Sequence, residues 1–214
     1  MLIQTNSNLD KKSQHSQMEN NTFFNLLVGD HFADREFKIS FNNTIKTKVF
    51  PNHHKLLKVG DIPKHIWIIN EGFAMSYIMK EGKKVPLLFW DKDRIIISPK
   101  GILKQQASEF TIELLEKSNL SFMHYDDFHS LMQSYPKMSL YVQNKQEEMN
   151  YILEKRVVDL LSSSAEERYK KLMTEFPSVT LKVPVELIAS YLGVSRKTLN
   201  RIRAKGLRKN VDKV

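Results

Sequence analysis

The stretch Val185 to Ala204 constrains this chain more than any other, because it reads as two short helices joined by a tight turn. Leu187, Ile188, Tyr191 and Leu192 lie on one face of the first helix, and Val194, Leu199 and Ile202 give the turn and second helix their apolar side. Ala189 falls where the two helices cross most closely and needs a small side chain; Gly193 falls where the chain must turn with positive φ. Ser195 then caps the second helix. Beyond the cap come Arg196, Lys197, Thr198, Asn200, Arg201, Arg203 and Lys205, a cationic and hydrogen-bonding face that suits a DNA major groove. A helical hairpin with a solvated basic face is the plain alternative. Small residue, glycine, cap and apolar contacts all occur in register, and acidic residues vanish where the second helix begins, so the spacing predicts a DNA-reading helix-turn-helix with its recognition helix over 195–205.

Charge placement points the same way. From Ser163 onward twelve Lys and Arg face five Asp and Glu, which puts +7 of the formal +9 in the last quarter of the chain. A basic end on a nearly neutral remainder is the electrostatic footprint of nucleic-acid binding. The chain has no cysteine, which excludes disulfides, thiolate zinc sites and cysteine-held iron–sulfur clusters. Of the seven histidines, His53 and His54 are adjacent and would point to opposite faces of a strand, and no others stand at helical ligand spacing, so no metal is expected. No segment approaches the run of about 20 apolar residues needed to cross a membrane, and the polar start lacks a secretory pattern; a cytoplasmic location without membrane contact is expected.

In chain order, residues 1–21 read as a flexible polar arm rich in Asn, Gln, Ser and Lys, and Thr22 to Leu27 as a short helix. Residues 22–135 read mainly as a β domain. Strands are predicted where Phe37, Ile39 and Phe41 alternate, at Ile45–Val49, His54–Lys58, His65–Asn70, Phe73–Met79, Val85–Trp90, Phe110–Leu114 and Ser121–His124, with turns at Pro51-Asn52, Gly60-Asp61, Glu71-Gly72 and Glu81-Gly82. Many short strands at close spacing indicate a sandwich or rolled barrel. A helix follows from Tyr125 to Tyr135. Residues 136–162 form a long helix whose Met138, Val142, Met149, Leu153, Val157 and Leu160 recur at steps of three, four or seven, a stripe that suits a parallel two-helix dimer seam interrupted by Lys145. Residues 163–214 then hold a helix opened by a Ser164 to Glu167 capping box, an extended Thr180–Val183, Pro184 in the first turn of the next helix, and the motif above.

A β roll, a long helix and a helix-turn-helix in this order resemble the transcription regulators of the Crp/Fnr family, which includes the cyclic-AMP receptor protein and the fumarate–nitrate regulator. The resemblance spans about Thr22 to Lys205. It is carried by Ser163-Ser-Ala-Glu-Glu-Arg-Tyr169 with Phe176-Pro177, by Val183 through Arg203, which look like the Bacteroidetes branch, and by Leu57-Lys-Val-Gly-Asp61 with Ile69-Asn-Glu-Gly72. It implies an α+β protein with a cyclic-nucleotide-binding-like jelly roll, a dimerisation helix and a C-terminal DNA-binding domain. It implies a cytoplasmic homodimer reading two-fold symmetric double-stranded DNA with half-sites about 34 Å apart. Arg196 and Arg201 match base- or phosphate-contacting arginines of the family motif, Ser195 and Thr198 its backbone-contacting hydroxyls, and Arg196 would take a bidentate guanine contact. Lys197 stands where the cyclic-AMP receptor has a glutamate that reads cytosine, so the operator does not carry over, and the hairpin wing of many members is missing. The resemblance also allows for contact with RNA polymerase and for an unidentified small-molecule effector.

The sensor departs from the family. Cyclic-nucleotide binders hold ribose with a glutamate after glycine and the phosphate with an arginine beside a small hydroxyl residue. Here Ala107 stands in the arginine's place before Ser108 and no Gly-Glu pair precedes it, which argues against cyclic AMP and leaves the effector-binding residues unassigned. Lys100 and Lys104 are the cations of that stretch. No cofactor and no catalytic residues are expected. Two other classes compete: a cyclic-nucleotide or small-ligand sensor that does not bind DNA and whose helical tail contacts protein, and a cupin-like metalloenzyme, which would need two or three histidines and a carboxylate on one metal.

Overall fold

The computed structural model describes residues 35–98 and 106–211, without the side chains of Tyr141 and of residues 206–211. The polar arm, the helix expected over Thr22–Leu27, Lys100 and Lys104 lie outside the described residues.

Helix α1 (Arg35–Thr44) opens the described chain. This corrects the strand expected there: Phe37 and Phe41, four residues apart, are both fully buried while Ile39 between them is exposed, which is a helical pattern. Eight strands follow: β1 (Lys46–Phe50), β2 (Lys55–Leu57), β3 (His65–Glu71), β4 (Ala74–Lys80), β5 (Lys83–Trp90), β6 (Ile95–Ile96), β7 (Thr111–Leu114) and β8 (Ser118–His124). They form two four-stranded antiparallel sheets, ordered β1-β8-β3-β6 and β2-β7-β4-β5. The β4–β5 hairpin closes through Glu81 and Gly82, both at positive φ, the mirror-image turn that matches strand twist. Gly72 (φ +131) turns β3 into β4, and a Cβ there would meet Ser118 Oγ at 2.1 Å, so only glycine passes that crossing.

Strand β3 shows how the layers stack. Its Trp67 and Ile69 point between the sheets with Leu57, Ala74, Trp90, Ile96, Ile112, Leu114 and Leu120. Ile66 and Ile68 point the other way, onto α1, helix α2 (Tyr125–Ser134) and the start of helix α3 (Met138–Ser162). The first sheet is thus covered by helices on its outer face. The outer face of the second sheet is covered by the C-terminal helices: Phe73, Met75, Tyr77 and Phe89 share one core with Leu172, Phe176, Val179, Val183, Ile188, Tyr191 and Leu199.

Those C-terminal helices are α4 (Ala165–Glu175), α5 (Val179–Lys182), α6 (Val185–Tyr191) and α7 (Arg196–Val211). The capping box forms: Glu167 N donates to Ser164 Oγ and Ser164 N to Glu167 Oε2. Helix α5 corrects the extended segment expected over Thr180–Val183. Val179 and Val183 are buried at a four-residue step while Leu181 is exposed. Pro184 is the N-cap residue of α6 rather than a residue of its first turn, with ψ of 141° outside helical values.

Candidate nucleic-acid interface

The turn between α6 and α7 is built as its residues require. Gly193 has φ +66, and a Cβ there would touch only Leu160 at 3.6 Å, so the demand for glycine comes from the backbone and not from crowding. Val194 N donates to Ala189 O at 3.0 Å, and Ile188, Ala189, Leu192 and Leu199 are buried between the helices. Thr198 N donates to Ser195 Oγ at 3.1 Å, which caps α7.

The cap sets the phase of α7. Leu199 points inward and Ile202 is half-buried beside it, while Ser195, Arg196, Lys197, Asn200, Arg201 and Lys205 are exposed. Lys197, Arg201 and Lys205, at steps of four, form a line along the outward face. Thr198 and Arg203 are half-buried at its margins, and Thr198 Oγ1 lies 3.0 Å from Ser195 Oγ. No acidic residue stands in the first turn of α7, where Arg196 and Lys197 add their charge to the positive end of the helix dipole. That arrangement works against helix stability and favours an approaching anion. Arg196 is held by Glu186 of α6, Nη1 to Oε1 at 2.6 Å, with both side chains more than half exposed. Reading the sequence missed this pair; the acid ten positions upstream of the arginine carries no local signal.

Two arginines from outside the motif hold its first helix. Arg156 of α3 donates to the carbonyl of Tyr191 and lies over its ring at 3.7 Å, and Arg168 of α4 donates to Leu192 O at 3.0 Å and to Ser163 O. Both therefore cap the C-terminal carbonyls of α6. Phe89 of β5 stacks at 4.7 Å from Tyr191, and Arg94 joins Glu175 at 3.2 Å while covering Phe176.

The six residues expected at a dimer seam divide. Met138 and Val142 are 0% and 8% exposed because they complete the core under α1 and α2, so they are not available to a second copy, a correction to the sequence reading. Met149 is half-buried, facing a cleft beside β5. Leu153, Val157 and Leu160 remain 43%, 54% and 42% exposed, with Leu161 beside them.

In the roll, the Ser108 hydroxyl donates to Phe110 O at 2.7 Å and Ser108 N–H donates to Asp61 O, so this residue is consumed by a turn. His53 sits in the turn before β2 at φ 62 and not on a strand, with Nδ1 3.0 Å from Glu113 Oε1; His54 packs on Phe50. Among the described residues no three His, Asp or Glu side chains converge as metal ligands, and no helix is long and apolar enough to cross a membrane.

No protein-family model and no curated protein sequence matches the chain. Solved structures do. FixK2 from Bradyrhizobium japonicum is 11% identical with a TM-score of 0.69, over 78% of this chain and 86% of that one. The c-di-GMP-responsive global regulator CLP of Xanthomonas campestris is 11% identical with a TM-score of 0.64, over 83% and 93%. A protein of Eubacterium rectale described as a transcriptional regulator of the Crp/Fnr family is 17% identical with a TM-score of 0.65, over 82% and 84%. The β roll, long connecting helix and helix-turn-helix together share the fold of these solved structures, one of them described as a regulator of the Crp/Fnr family.

Proposed function

We propose that the chain is a dimeric, cytoplasmic, DNA-binding transcription regulator and not an enzyme. The observation that carries this reading is the outward face of α7: a capped helix in a helix-turn-helix that presents Arg196, Lys197, Asn200, Arg201 and Lys205 to solvent with no acid in its first turn. Helix α7 enters the major groove; Arg196 leaves Glu186 to contact a guanine, Asn200 reads an adjacent base, and Ser195, Thr198, Lys197, Arg201, Arg203 and Lys205 serve phosphates and base edges. The exposed Leu153, Val157 and Leu160 meet their counterparts in a second copy, which spaces two recognition helices for a symmetric site. Cyclic AMP is not the ligand of the roll. Trp67 and Trp90 fill the space between the sheets, Ala107 offers no cation, and Ser108 is spent on its own turn.

The test is selection of bound duplexes from a random pool at two salt concentrations, followed by sequencing. A two-fold symmetric site with a steep salt dependence is expected. Arg196→Ala should weaken that site by about 1–3 kcal/mol and relax base preference at one position, whereas Lys205→Ala should weaken all sequences alike. Retention of no DNA at low salt would overturn the reading in favour of a sensor whose helices contact protein.

A further inference from the structure

A concave feature lies away from the recognition face, where β5, α3, α4 and α6 meet. It is a cleft of about 450 Å³, within the range of small-ligand pockets. One wall is apolar and aromatic, from Leu88, Phe89 and Trp90 on β5 and Met149 and Ile152 on α3. The other carries Arg94, Lys155, Arg156, Arg168, Lys170 and Lys171 against only Asp159 and Glu175.

The pairing within the cleft is uneven. Lys171 is taken by Asp159, Arg94 by Asp91 and Glu175, and Lys170 by Glu166 outside it. Among the described residues no carboxylate forms an ion pair with Lys155, Arg156 or Arg168. Arg156 and Arg168 have only backbone carbonyls as hydrogen-bond acceptors, and a guanidinium has five N–H donors to fill. Burial is the main cause that holds the Arg156 guanidinium below its ordinary pKa, and Arg168 adds repulsion against the opposing pull of Tyr191, Asp159 and Glu175. Partly buried guanidiniums with spare donors, side by side and with the cleft's two carboxylates, Asp159 and Glu175, each in an ion pair with Lys171 or Arg94, are an arrangement that binds phosphate.

We infer that this cleft is an effector site for a phosphate ester of mononucleotide size, its phosphates on Arg156, Arg168 and Lys155 and its planar body against the Leu88–Trp90 wall. The site lies outside the roll interior, where a cyclic nucleotide would sit in this fold. Because both arginines also cap α6, a phosphate on their remaining N–H groups pulls on the same two guanidiniums that hold the carbonyls of Tyr191 and Leu192, and the ligand acts directly on the seat of the helix-turn-helix. The inference does not depend on DNA binding.

Calorimetric titration of the full chain with ADP and with inorganic pyrophosphate, in the absence of DNA, tests it. ADP should bind, and more tightly than pyrophosphate, which has the charge without the ring. Arg156→Gln should weaken ADP about tenfold or more. Since that change also loosens α6, Lys155→Gln is the companion variant: its side chain is exposed, and a severalfold loss with an unchanged melting temperature is expected. Lys197→Ala on the recognition face should leave ADP affinity unaltered. No heat with either probe at millimolar concentration, or equal weakening by Lys197→Ala, would overturn the site. Pyrophosphate binding as tightly as ADP would overturn the ligand class. If DNA selection fails while ADP binds, the functional proposal falls and this one stands.

Discussion

Glu113 on β7 is 2% exposed and accepts from Lys84 Nζ at 2.7 and 2.9 Å, with His53 Nδ1 at 3.0 Å. Burial alone pushes its carboxyl up, but hydrogen bonds from Lys84, His53 and Tyr77 outweigh it and leave the group below its ordinary value. With the folded-state value depressed, the stabilisation is fully present above the unfolded value and is lost as pH falls through the folded one. Lys84→Met should therefore lower stability at neutral pH by about 1–3 kcal/mol, because a buried carboxylate loses its main donor. Urea unfolding followed from neutral to acid pH should show that deficit narrowing as Glu113 protonates; a deficit independent of pH would show that the ion pair is not its source. Residues of this kind are invisible in the sequence. Glu113 lies 29 positions from Lys84 and 60 from His53, and Arg156 lies 35 from the carbonyl it caps. Ala189, Gly193 and Ser195 were legible because the turn and the cap are each settled by contacts no more than five residues apart.

Elements were legible where one period dominated. Strands β3 to β5 and helices α2 to α4 stand close to where alternation or four-residue steps put them. Helix α1 was not, because Phe37, Ile39 and Phe41 satisfy a two-residue period as well as a four-residue step. Packing decided: Phe37 meets Tyr135, the C-cap of α2, edge-on at 4.7 Å, and Ile39 is left in solvent. The two residues of β6 were too few to carry any period. The contact of β5 with α6 was likewise unreadable, since alternation says that Phe89 has an inward face but not what covers it. Phe89 touches the rings of Phe73, Phe176 and Tyr191. Phe89→Ala should lower stability by about 3–5 kcal/mol and speed amide exchange in α6. Denaturant melts with exchange mass spectrometry check both; unaltered protection in α6 would mean that the roll does not hold the helix-turn-helix.

For the whole molecule, the order of parts could be read from sequence and the faces that meet could not. The apolar stripe of α3 looked continuous, yet its first two members are consumed by the roll and only the later ones face outward. A dimer along Leu153, Val157 and Leu160 predicts that Leu153→Glu with Val157→Glu gives a monomer in sedimentation equilibrium with unchanged circular dichroism, and that affinity for a two-fold site falls far more than affinity for a half-site. A persisting dimer would place the seam elsewhere. The burial of Phe73, Met75, Tyr77 and Phe89 under the C-terminal helices also bears on descent. A roll whose outer sheet is roofed by the C-terminal helices cannot be exchanged by simple recombination at the end of α3. Foreign C-terminal helices would bring the wrong roof and leave four large side chains bare, so each substitution on the roll or on the helices narrows what the other can accept.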